Sequence, residues 1–167
     1  LDEINRSSAK TQSAMLEAMQ ERQTSIGGVT HALPDPFLVL ATQNPIEEEG
    51  TYVLPQAQMD RFLLKEVIDY PTAEAELEVL NRMESGVFDV AGPAIASIND
   101  VLRLQRICAA VHVDETLKRY MVEVVNVTRR PSSYLDGDQA RWIEFGASPR
   151  GAIAFMQVAR AAALLAG

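Results

Sequence analysis

Phe37-Leu-Val-Leu-Ala-Thr42 is an apolar run with no polar residue before its last position. A strand with one wet face alternates apolar and polar side chains. An unbroken run of this length instead fits a strand covered on both faces, as in a parallel sheet. That reading restricts the N-terminal part of the chain to an α/β fold. It also says where function belongs, because open parallel sheets place ligands beyond the carboxyl ends of their strands. The run ends in Thr42-Gln43-Asn44-Pro45, so Asn44 is the first polar side chain to weigh. An amide there can orient water without titrating. An Asn before Pro is equally a common turn former.

The local signals around this strand are regular. Ser8 to Gln23 reads as a helix capped by Ser8, with Met15, Leu16 and Met19 on one face. Gln23 to Ala32 reads as a hairpin about Gly27-Gly28, which supplies the positive φ angles of a two-residue turn. Pro55 starts a short helix over Gln56 to Asp60. Leu63 to Tyr70 reads as a second strand, stopped by Pro71. From Thr72 the pattern is helical. Thr72 caps a segment with Glu74, Glu76 and Glu78 near its start, where the helix dipole favours acids, and Gly86 ends it. A Pro/Gly/Ala loop runs on to Ser97, and Ser97-Ile-Asn-Asp100 resembles a capping box ahead of Val101 to Val111. Asp114 caps a helix with Leu117, Met121 and Val124 or Val125 on one face, ended by Pro131. Ser148-Pro149-Arg150 opens a last helix, with Ser148 at the cap and Pro149 at the first position. A boundary near Pro71 therefore separates an α/β piece, 1–71, from a helical piece, 72–167.

Hydrophobic residues make up 47% and charged residues 23% of the 167, the balance of a globular chain. Fifteen basic against 23 acidic residues give a net charge of −8. Binding nucleic acid by bulk electrostatics needs a basic face, so none is expected as a partner. A local anion site remains open to Arg61, Arg129, Arg130 and Arg150. No apolar run approaches the roughly 18 residues of a membrane span. The lone cysteine, Cys108, allows no internal disulfide and fits a reducing cytoplasm; in its helix-like setting it reads as a buried structural thiol. His31 and His112 have no companions at metal-ligand spacing, so no dedicated transition-metal site is expected.

Four further residues carry candidate chemistry. Asp2 and Glu3 stand together after Leu1, at what reads as a strand end. An Asp there can hold Mg²⁺ through water, and the next carboxylate can take a proton from attacking water. The alternative is a solvated acidic pair. Arg61 follows the short helix and suits either a phosphate-neutralising finger or a surface ion pair. Arg150 lies in the first turn of a helix, where the dipole disfavours cations. A guanidinium there makes an anion site, or simply points to solvent. In chain order, an acidic pair, an amide and two arginines read as the second half of a nucleotide-hydrolysis site. The first half is missing: no Gly-x-x-x-x-Gly-Lys-Ser/Thr loop occurs in the sequence.

Five ordered segments carry a family resemblance: Leu1-Asp-Glu-Ile-Asn-Arg6; Lys10 through Gln23; Ala41-Thr-Gln-Asn-Pro45; Glu49 through Phe62; and Gly146-Ala-Ser-Pro-Arg150. Together the chain resembles the MoxR-type AAA+ ATPases over nearly its whole length. The resemblance implies a partial P-loop NTPase core with parallel strands, followed by an all-helical lid. It implies that Asp2 is the Walker B ligand of Mg²⁺ and Glu3 the catalytic glutamate. Asn44 would be sensor 1, touching both water and ATP. Arg61 would be the arginine finger of a neighbouring subunit's site, and Arg150 sensor 2 on the lid. Gln23 to Leu33 would be the hairpin before the sensor strand.

ATP and Mg²⁺ are the implied cofactors, and the cytoplasm the implied location. The implied partners are a ring of like subunits, a hexamer in the family, and a client protein, often one with a von Willebrand factor A domain. Remodelling of partners, with metal-cofactor insertion as a recurrent theme, is the implied activity. Because the chain begins at Walker B, it is expected to be a piece of a longer ATPase and, alone, neither to bind ATP tightly nor to hydrolyse it. The alternatives are a non-catalytic ring-assembly or partner-binding module, and a related chelatase-like or Rubisco-activase-like motor subunit.

Overall fold

Local chemistry sets most of the element boundaries. A computed structural model describes residues 1–44, 54–86 and 92–167. Pro45, the Glu49–Val53 part of the fourth motif segment and the start of the loop before Ser97 lie outside the described residues. A 3₁₀ turn, Ile4–Arg6, leads into helix α1, Ala9–Glu21. The Ser8 hydroxyl accepts from the Thr11 amide at 3.3 Å, satisfying one donor that a helix start leaves unpaired. α1 buries Gln12 and Leu16. Strands β1, Gln23–Ile26, and β2, Val29–Ala32, follow as an antiparallel hairpin with Ile26 opposite Val29. Gly27 and Gly28 adopt φ of 59° and 81°, the left-handed pair a two-residue hairpin turn demands. β1 packs against α1.

The second half is built from capped helices. After the short α2, Gln56–Met59, come α3, Ala73–Ser85, α4, Ile98–Ala110, α5, Glu115–Arg129, and α6, Pro149–Ala166. The expected caps are in place. The Thr72 hydroxyl accepts from Ala75, the Asp114 carboxylate from Thr116 and the Ser148 hydroxyl from Arg150, while Ser97 and Asp100 form a reciprocal capping box. α6 packs on α5 and α4. Met121 and Val125 are buried on the expected face of α5, whereas Leu117 on that face is exposed. Val113 joins them in the buried set, and Ile4, Leu16 and Leu54 are the buried apolar residues of the first part.

Two expected strands are not regular strands. Residues 37–42 are extended but only half-covered: Phe37, Val39 and Ala41 are half-buried, while Leu38 and Leu40 are exposed. Residues 63–70 form no strand and are exposed throughout, Ile68 by 88%. A strand exists only through a hydrogen-bonded neighbour. Among the described residues, 63–70 has none, and 40–42 pairs on one side only, with Leu1 to Ile4.

That one pairing is parallel. The Leu1 nitrogen donates to the Leu40 carbonyl at 2.8 Å, and the Thr42 amide donates to the Leu1 carbonyl at 3.0 Å. Both bonds flank Ala41 in the slanted pattern of parallel strands. The next rung would join the Glu3 amide to the Thr42 carbonyl. It does not form, because Glu3 takes the left-handed conformation at φ 44°, ψ 60°. The Ile4 amide takes the Thr42 carbonyl instead, at 2.9 Å.

Candidate functional site

Thr42 organises the point where the chain leaves the pairing. Its hydroxyl accepts from the Glu3 amide at 2.8 Å and donates to Asp2 Oδ1 at 2.7 Å. One hydroxyl thus fixes the carboxylate of Asp2 and the displaced backbone of Glu3. A non-glycine residue in this conformation stores roughly 1–3 kcal/mol of strain. The bonds from Thr42 and Ile4 hold it there.

The result turns the Glu3 carboxylate toward the end of the neighbouring strand. Asn44 Nδ2 donates to Glu3 Oε1 at 3.2 Å, across 41 residues of sequence. The other oxygen, Oε2, pairs with Arg6 Nε at 3.0 Å. Asn44 is itself held by Asn5, which donates to its carbonyl at 3.0 Å and accepts from its amide at 3.4 Å. Gln12, buried on α1, donates to the carbonyls of Ile4 and Ser7 and so anchors the turn that carries Asn5 and Arg6. Asp2, Glu3 and Asn44 therefore lie in one hydrogen-bonded cluster, Asp2 joining it through Thr42.

Arg61 and Arg150 are not joined to that cluster by any hydrogen bond or ion pair among the described residues. Arg61 follows α2 with Nε and Nη1 shielded from water and without a hydrogen-bond partner among the described residues; Gln58 Oε1 is in the same condition. Arg150 is exposed in the first turn of α6. The approach to that turn is rigidly built. Arg129 Nε donates to the Ala147 carbonyl at 2.7 Å, and the Ala147 amide donates to Thr128 Oγ1 at 3.0 Å. Gly146 lies so close to the end of α5 that a Cβ on it would stand 2.7 Å from the Arg129 Cα.

Asp2 and Thr42 offer hard oxygen atoms at a strand end. No group of three or more His, Cys, Asp or Glu side chains that could cage a metal occurs among the described residues. Mg²⁺ keeps most of its water and needs one or two carboxylates beside substrate phosphates, so this donor set fits an ion that arrives with a phosphate ligand. It does not fit an all-protein cage.

Sequence reasoning missed the supporting residues: Thr42, Asn5, Arg6 and Gln12 around the cluster, and Thr128, Arg129 and Gly146 beneath Arg150. Asn5 and Arg6 lie inside a motif that had been read only for its two acids. Gln12 had one available signal, a polar residue one turn before the apolar Leu16 on the inner face of an amphipathic helix.

Comparison with known proteins adds the following. Residues 1–64 match the ATPase family associated with various cellular activities (AAA), and residues 137–167 match the AAA lid domain. Chaperone MoxR1 of Mycobacterium tuberculosis is 51% identical over 166 residues, which is 99% of this chain and 44% of that protein. The Bacillus subtilis protein YeaC is 48% identical over 165 residues, 98% of this chain and 48% of YeaC. A crystal structure of a candidate ATPase from Cytophaga hutchinsonii superposes with a TM-score of 0.84 at 46% identity, covering 96% of this chain and 48% of that one. The chain spans about half the length of the curated relatives it matches. No helix among the described residues is long and apolar enough to cross a membrane.

Proposed function

We infer the function from the chain's family: it belongs to the MoxR-type AAA+ ATPases, as a partial AAA+ core followed by a helical lid. We place the division between the two near Pro71. The proposed activity is Mg-dependent ATP hydrolysis coupled to remodelling or activating a partner protein, in a protein of the relatives' length. The observation that carries it is the Glu3–Asn44 hydrogen bond, with Asp2 beside it on the same strand end.

In this reading Glu3 accepts a proton from the attacking water, and Asn44 holds that water in line without titrating. Asp2, whose carboxylate is oriented by the Thr42 hydroxyl, would hold Mg²⁺. The metal ion, when bound, neutralises charge on the phosphates. Arg61 serves a neighbouring subunit's site as a finger. Arg150 reaches the nucleotide from the lid as sensor 2, on a helix start that already favours phosphate. Ring assembly, a hexamer on the family pattern, follows from a finger acting in trans. A client carrying a von Willebrand factor A domain, metal insertion and a cytoplasmic location extend the same reading.

The test is the metal dependence of turnover, in a chain that includes a phosphate-binding loop. Asp2→Asn is expected to raise the Mg²⁺ concentration needed for half-maximal ATP hydrolysis and to lower the rate at saturation. Turnover that ignores both Mg²⁺ and Asp2→Asn would sink the reading.

A further inference from the structure

Asn5 is 8% exposed, and its amide group makes both of its bonds to the backbone of one residue, Asn44, across 39 positions of sequence. Donating to a carbonyl and accepting from the amide of the same residue is what a neighbouring strand does in a ladder. Here a side chain does it, just beyond the Leu1–Ala41 pairing, where the left-handed Glu3 stops the backbone ladder. Asn5 thus replaces the lost rung. It sits on a turn pinned by the buried Gln12, and only Ile4 separates it from Glu3.

We propose that Asn5 is a positioning residue that fixes the separation between the Glu3 carboxylate and the Asn44 amide. The proposal rests on the roles given to Glu3 and Asn44 above. The path from Glu3 through Ile4 and Asn5 to the Asn44 backbone is a short closed loop, completed by the Asn44 side chain on Glu3. Slack anywhere in that loop moves the water-holding amide relative to the base. Both bonds from Asn5 go to the Asn44 backbone and leave the Asn44 side chain and Asp2 in place, so its loss is expected in the chemical step rather than in affinity. Misplacement of a reacting group by about 1 Å costs on the order of 10²-fold in rate.

Two variants test this in a chain that includes a phosphate-binding loop. Asn5→Ala removes both bonds; Asn5→Asp keeps the acceptor for the Asn44 amide and loses the donor. The first readout needs no chemistry. In nucleotide-free protein, exchange of the Asn44 amide hydrogen should speed up about 3- to 10-fold in Asn5→Ala, the equivalent of one lost hydrogen bond, and much less in Asn5→Asp. Unchanged exchange in Asn5→Ala overturns the proposal.

The second readout is single-turnover ATP hydrolysis. Asn5→Ala should slow it roughly 10- to 100-fold with the Kd for Mg-ATP unchanged; a weakened Kd at normal rate overturns the proposal. The double variant with Asn44→Ala should be no slower than Asn44→Ala alone, since Asn5 acts through that residue. Multiplying effects would contradict it. Should Asn44→Ala leave hydrolysis intact, the reading of the site has failed, and exchange at Asn44 still decides whether Asn5 holds that residue.

Discussion

The cluster around Glu3 and the helices after Thr72 are held together in opposite ways. Around Glu3 the contacts are polar, and those from Asp2, Glu3 and Asn5 to Thr42 and Asn44 span 39 to 41 residues of sequence. Ile4, between Glu3 and Asn5, and Leu16 on α1 are the buried apolar side chains beside them. In the helical part each element is stabilised first by its own cap, and the elements then meet along apolar seams such as that of Met121 and Val125 with α6. The first joins side chains from distant parts of the sequence and holds Glu3 in a left-handed conformation. The second fixes whole helices, and the end of α5 holds the turn before α6, where Arg150 is exposed.

Breaking the polar side should cost rate and leave the fold. Asn44→Ala removes the amide from Glu3 Oε1, and ATP turnover is expected to fall roughly 10²-fold with little change in melting temperature. A large loss of stability with normal turnover would reverse the contrast. On the helical side the order inverts. In Gly146→Ala the new Cβ would meet the Arg129 Cα at 2.7 Å and the Thr128 carbonyl oxygen at 3.0 Å, both backbone atoms. Such overpacking costs about 1–3 kcal/mol. Thermal unfolding should show it, together with a weaker effect of nucleotide on the lid; wild-type stability would mean that the end of α5 gives way freely.

The smallest expected effect is at the capping box. The Ser97 side chain, and then its backbone amide, hold the Asp100 carboxyl below the usual carboxylate range. A depressed value contributes stability above the ordinary pKa, which is lost as pH falls through the lowered one. Ser97→Ala should therefore lower the melting temperature by a few degrees at neutral pH, and the gap from wild type should narrow below pH 4. A gap that widened on acidification would contradict the assignment.

The same contrast explains what could be read in the sequence. Caps are local: Ser8, Thr72, Ser97, Asp114 and Ser148 each need only the next three residues to act, and each was legible. So was the Gly27-Gly28 turn. The runs 37–42 and 63–70 carry strand composition, yet strand formation depends on a partner's backbone, which no window of sequence contains. Among the proposed site residues, Asp2, Glu3 and Asn44 could be named from the end-of-strand rule and the ordered motifs. Their supports could not. Asn5 and Thr42 act only once Glu3 has left the ladder, and that departure is a backbone event with no residue signature, since Glu is not a residue that favours positive φ.

The sharpest single experiment is ATP hydrolysis by Glu3→Gln beside the unmodified protein, in a chain that includes a phosphate-binding loop, with Mg-ATP binding measured on both. Glutamine keeps the acceptor for Asn44 and loses the basic oxygen. Binding should be retained and turnover should fall by roughly 10²- to 10⁴-fold. Turnover close to that of the unmodified protein would show that Glu3 is not the base, and the polar cluster would then be scaffolding without chemistry.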